Sequence, residues 1–165
     1  MPPSADLPRV PLRTRMTPAA SVLAASLLAA LPVIATAAVL PPFGLLALLA
    51  WRLLRPELWP VWAALPFGLF DDLVSGQPLG SGMASWTCVF LAIDRLDRRF
   101  PQRGWRFDWW IAAAASIFVL VAGMLAAALP LTMVPTILPQ IAITILAFPA
   151  VSRTVAALDR WRLKR

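Results

Sequence analysis

The chain has no histidine, no tyrosine and a single cysteine. A zinc site of the usual Cys/His type is therefore excluded, and so is an intrachain disulfide framework. Cys88 lies in the apolar run ASWTCVFLAI and reads as a small buried residue rather than a reactive thiol. Charge is also scarce. Only 14% of the 165 residues are charged, about half of what a soluble domain carries. The eight acids face fifteen Lys and Arg, a net charge of +7. In a soluble protein that surplus would suggest nucleic acid, but no folded basic module remains once the apolar blocks are removed, so no nucleic-acid partner is expected. Nor does any nucleophile–base pair, metal-ligand cluster or phosphate-binding loop stand out. The chain reads as a non-enzyme that needs no metal and no cofactor.

What is abundant is apolar sequence: 60% of the residues, gathered in long blocks. That composition defines an integral membrane protein. Six segments can be drawn, at about 18–40, 42–55, 57–74, 80–95, 109–130 and 134–157. The second is short for a span and is expected to tilt or to enter only partway. Backbone groups in lipid must be satisfied within each segment, so the blocks are helices, and the alternation of a β-barrel is absent. The expected fold is all-α: a polytopic bundle of six transmembrane helices over 18–157, with a flexible basic N-terminal segment over 1–17 and a basic tail over 158–165. The basic residues test this layout. Arg9, Arg13 and Arg15 precede the first span; Arg52 and Arg55 follow the second; Arg95, Arg98, Arg99, Arg103 and Arg106 follow the fourth; Arg153, Arg160, Arg162, Lys164 and Arg165 close the chain. With six spans every cation falls on one side, which places both termini in the cytoplasm. Trp51, Trp59, Trp62, Trp105, Trp109, Trp110 and Trp161 sit near the same boundary, where indoles favour the headgroup region. Trp86 lies deeper and reads as packing or lipid contact. Pro32, Pro66, Pro139 and Pro149 interrupt spans and can kink them.

Two acids break the pattern. In PFGLFDDLVSGQPLGSG, Asp71 and Asp72 end the third apolar block on the side that has no cation. They also lie at a helix C-terminus, where the macrodipole disfavours negative charge. Adjacent helical residues point about 100° apart, so the pair is a poor dyad for chemistry on one atom. Three readings stand side by side. Both acids hydrate at the interface; or one accepts backbone N–H bonds from the turn that follows; or at least one meets a partner or ligand. Gly76 can take a positive φ after the helix, Pro78 fixes the next step, and Gly80, Ser81 and Gly82 open the following helix with small residues. Together they describe a tight helical hairpin with an acidic elbow.

Gly68, Leu69, Asp72, Leu73, Gly76, Pro78, Leu79 and Gly80 match the pattern G-L-x-x-D-ϕ-x-x-G-x-P-ϕ-G, ϕ being apolar, and in this respect the chain resembles the MreD family of rod shape-determining proteins. Asp72 is the acid in register; Asp71 is extra. The stretch LLALLAWRLLRPELWPVWAALPFGL before the motif also resembles the family's second and third spans. The resemblance implies a multi-pass protein of the bacterial inner membrane, with a fold similar to the six-helix substrate-binding subunits of energy-coupling-factor vitamin transporters. It implies work in the cell-elongation machinery with an MreC-like protein, MreB filaments, RodA and its transpeptidase partner, directing lateral peptidoglycan synthesis. On that reading Asp71, Asp72, Gly76, Pro78 and Gly80 form a partner-binding or structural elbow. Arg95, Arg98, Arg99, Arg103 and Arg106 form a cytoplasmic basic face toward anionic membrane lipid. The alternative is a substrate-binding subunit of a vitamin-type transporter. Against it, polar groups within the spans are few: Thr36, Ser85, Thr87, Ser116, Gln140 and Thr144, of which Gln140 is the best candidate.

Overall fold

Each apolar block contributes a helix to the described residues. The computed structural model describes residues 12–28, 40–100, 104–130 and 134–163. Within them lie α1 (Leu12–Leu28), α2 (Phe43–Leu54), α3 (Ala64–Ser75), α4 (Ser81–Arg99), α5 (Trp105–Ala126) and α6 (Val134–Leu163), with a 3-10 turn at Val61–Ala63 leading into α3. No strand occurs among the described residues. Successive helices alternate in direction. The end of α3 is tied to the start of α4 through Asp72 and Gly82. The start of α6 is tied to the chain entering α2 through Gln140 and Leu40. At the opposite end, the last turn of α2 meets the last turn of α4 through Arg52 and Asp97.

α2 occupies the middle. It packs against α1, α5 and α6, and every residue from Gly44 to Arg52 is buried. A helix that is apolar on all sides belongs inside a bundle. At 12 residues it is about 18 Å long, well short of the ~30 Å hydrocarbon layer. The brevity that suggested a tilted or partial span thus has a structural counterpart: α2 is a core helix, with Leu45, Leu46, Leu48, Leu49 and Trp51 wholly enclosed. α5 and the Ile137–Leu163 part of α6 are long and apolar enough to cross a membrane, and Met16–Leu28 and Phe43–Leu54 are shorter apolar helices. The outer faces of α5 and α6 leave Phe118, Val121, Leu125, Ile143 and Leu146 exposed, as lipid-facing surfaces do.

Several expectations shift. α1 begins at Leu12, so residues 12–17 are helical rather than part of a flexible leader; hydropathy locates where the chain turns apolar, not where it starts to coil. α6 continues to Leu163, and Asp159 and Arg162 within the expected tail are buried. Pro66 falls in the first turn of α3 and interrupts nothing, since the amide it lacks has no helical partner there. Pro139 and Pro149 do lie inside α6. Trp51 is not an interfacial indole: it is 0% exposed, and its ring N–H donates to Ser21 Oγ at 2.8 Å. Trp62, Trp105, Trp110 and Trp161 are exposed. Trp86 is buried and packs in the core. Cys88 is exposed, not buried, because α4 turns that side outward beside α5, where an apolar run needs no cover in lipid. Residues 1–11, Pro32, Thr36, Arg103, Lys164 and Arg165 lie outside the described residues.

Candidate functional site

The two adjacent acids serve two different helices. Asp72, on the last turns of α3, is 1% exposed. Its Oδ2 accepts the Gly80 N–H at 2.9 Å and that of Met83 at 3.4 Å. Its Oδ1 accepts the Gly82 N–H at 2.8 Å and the Ser81 hydroxyl at 3.2 Å. The first amides of α4 have no helical acceptor, and a carboxylate from the preceding helix fills that role. The dipole of α4 favours a negative charge at this spot, which offsets the unfavourable C-terminus of α3.

Asp71 points to other neighbours. Its carboxylate and the buried Ser26 hydroxyl of α1 converge on Gly44, the second residue of α2. A Cβ built on Gly44 would collide with Ser26 Oγ and lie 2.9 Å from Asp71 Oδ1. Asp71 thus stands beside the first turn of α2 as Asp72 stands at the first turn of α4. No cation pairs with either acid among the described residues.

Glycines make this closeness possible. A Cβ on Gly68 would lie 2.7 Å from the Gly82 carbonyl carbon and oxygen, and one on Gly82 would lie 2.6 Å from Asp72 Oδ1. The α3 and α4 backbones therefore touch at the Gly68–Gly82 crossing, in the manner of small-residue packing in lipid. The turn between them needs two left-handed residues, Gly76 at φ 68° and Gly80 at φ 93°. Pro78 lies between them. Leu73 and Leu79 project from the elbow with 64% and 71% of their surface exposed.

Beneath the elbow is a cavity of about 430 Å³. It opens between Pro42 ahead of α2, the α3–α4 turn, the last turns of α5 and the start of α6, and its polar lining comes from Asp71, Gln77 and Gln140, with Trp86 at the side. Gln140 Nε2 donates to the Leu40 carbonyl at 2.7 Å. Gln77 reaches from the turn to α5, where its Oε1 lies 3.1 Å from the place a Cβ on Gly123 would take.

The expected basic face is distributed differently from a simple patch. Arg98 pairs with Asp94 at 2.8 Å one turn back, and Arg95 donates to the Leu91 carbonyl at 3.3 Å. Arg99 and Arg106 are exposed. The buried cations come from elsewhere. Arg52 is 3% exposed, meets Asp97 at 2.8 Å and Asp94 at 3.8 Å, and lies over the Phe90 ring. Arg162, also buried, meets Asp159 at 2.6 Å and stacks on Trp51 at 4.9 Å, and the more exposed Arg55 shares the same carboxylate at 2.9 Å. Sequence reading reached the elbow residues Asp71, Asp72, Gly76, Pro78 and Gly80, which the fold brings together. It missed Ser26, Gly44 and Gln77, for which only a three-dimensional contact gives a signal.

The helices, their lipid-type outer faces and the polar groups gathered at the bundle's two ends define a small all-helical membrane-associated protein. The chain belongs to the MreD family: the model for rod shape-determining protein MreD matches residues 13–153. This membership ties the chain to rod shape determination. No curated protein and no solved structure matches it.

Proposed function

We propose that the chain is a non-enzymatic scaffold of the bacterial inner membrane. The six-helix bundle spans the membrane with α2 enclosed at its centre and both termini in the cytoplasm, and the protein helps to organise lateral peptidoglycan synthesis in the elongation machinery. Its partners on this reading are an MreC-like protein, MreB filaments, RodA and its transpeptidase partner. Family membership over residues 13–153 supports the setting. The observation that carries the scaffold role is the elbow: Asp72 spends its carboxylate on holding the hairpin, and the hairpin presents Leu73 and Leu79 outward. A rigid, exposed apolar tip suits docking of a partner segment. Asp72 is then a positioning residue, and the docking contacts are its neighbours. Arg95, Arg98, Arg99, Arg103 and Arg106 face anionic lipid, each worth about 1 kcal/mol at the surface.

The test is capture from native membranes with a tagged chain. Recovery of MreC-like or RodA-like proteins, lost with Leu79→Asp at normal expression, supports the scaffold. The cavity favours a second reading, a substrate-binding subunit of a vitamin-type transporter. Recovery of an ATPase and a coupling subunit without wall-synthesis proteins would replace the first reading by the second.

A further inference from the structure

Among the described residues the cavity beneath the elbow has a polar lining rich in acceptors and no positive charge. Its charged liner there is Asp71, and no described Lys or Arg lines it. Gln140 has already committed an N–H to Leu40, which leaves its Oε1 open as an acceptor. Gln77 carries its own Oε1 across to α5. Trp86 adds an aromatic wall. Asp72, the neighbouring acid, has both oxygens occupied by the α4 amides and does not compete.

We propose that this cavity binds an organic cation, an ammonium or guanidinium group, with Asp71 as its counter-ion and Gln77 and Gln140 as neutral acceptors. A carboxylate at a membrane-protein interior surface calls for a paired charge. Trp86, which also lines the cavity, is a residue type that attracts the same kind of group. An anion would meet Asp71 unfavourably, and a neutral guest would leave the carboxylate, which has the Ser26 hydroxyl beside it, without a counter-charge. At about 430 Å³ the space takes a short alkyl chain ending in one such group. The cation has two sources, a free small amine or a Lys or Arg side chain of a partner segment reaching the cation-free end of the bundle. The inference does not depend on the scaffold reading, since it concerns the isolated chain.

The test uses the full chain purified in detergent. Its thermal unfolding midpoint is followed with butylammonium and butylguanidinium, against butanol, butyrate and sodium and potassium chloride at matched ionic strength. A saturable rise with either organic cation, absent with the controls, is expected. Asp71→Asn weakens that binding by about tenfold or more, and Gln77→Ala, in the exposed turn, weakens it without altering the unliganded midpoint. No saturable rise beyond the salts, or an undiminished one in Asp71→Asn, overturns the proposal. Should Asp71→Asn fail to fold, undiminished binding by Gln77→Ala overturns it instead. Nα-acetyl-lysine and Nα-acetyl-arginine methylamides separate the sources. Binding as tight as that of the butyl cations assigns the site to a partner side chain; binding of the butyl cations alone assigns it to a free amine.

Discussion

The two ends of this bundle solve the same problem by different means. At the end where α2, α4 and α6 finish, buried charge is met by opposite charge: Arg52 with Asp97, and Asp159 with Arg55 and Arg162. At the other end two carboxylates sit without a cation among the described residues, and Asp72 is met by backbone amides and a hydroxyl. Ion pairs tie together elements far apart in sequence, as Arg55 and Asp159 do. The amide cradle ties only neighbours, Asp72 to residues 80–83, but fixes them more tightly because backbone donors have no rotamers to lose. The first end is a clasp between helices; the second is a hinge pin within one hairpin.

The difference predicts a graded set of losses. Asp72→Ala should cost the most, about 3 kcal/mol, because several amides at the start of α4 lose a charged acceptor in a site that is 1% exposed. The unfolding midpoint in detergent should fall well below that of any other single change here. Arg52→Ala also removes one member of a buried set, but its partners can hydrate: the side chains of Asp94 and Asp97 are 30% and 20% exposed. A loss of about 2 kcal/mol follows, below the range for fully enclosed pairs. A larger loss for Arg52→Ala than for Asp72→Ala in the same assay would reverse the comparison.

Gly68→Ala probes the hinge without touching charge. The added methyl meets the Gly82 backbone at 2.7 Å, and backbone cannot swing aside. Parting α3 from α4 should cost about 1.5 kcal/mol. Gly76→Ala is milder: nothing lies within 4 Å of its Cβ, so only the left-handed φ of 68° resists. About 1 kcal/mol is expected. If Gly76→Ala proved worse than Gly68→Ala, turn conformation rather than helix contact would be holding the hairpin.

How much of this was legible differs between the ends. The elbow's parts lie within about fifteen residues, so spacing alone brings Asp72, Gly76, Pro78 and Gly80 into one turn. The helical blocks are legible for the same local reason, since an apolar run in lipid has to satisfy its own backbone. Trp51 shows the limit. Its place beside Arg52 suggests an interface, yet the pair belongs to the buried centre, because proximity along a helix does not say which way the helix is enclosed. Gly44 and Ser26 are harder still: neither carries a local signal, and their roles arise only where α1, α2 and α3 meet. The basic end was legible as charge and illegible as partners. Asp94, Asp97 and Asp159 stand among arginines in the sequence, but each also takes a partner from a distant segment, Arg52 for the first two and Arg55 for the third.

Arg98→Ala is the smallest change and sharpens the comparison most cheaply. Arg98 pairs with Asp94 at 2.8 Å, but its side chain is 79% exposed. Water screens the pair, and holding a long side chain in one rotamer offsets part of what remains. About 0.3 kcal/mol is expected, as for other pairs four residues apart on a helix. Salt adds a second readout. Raising the ionic strength should erase the difference between Arg98→Ala and the parent chain. The deficit of Asp72→Ala should persist unchanged, because its amides are buried dipoles that mobile ions do not reach. A salt-sensitive Asp72 deficit would mean that the elbow is held by a long-range field, and the two ends would then differ in degree rather than in kind.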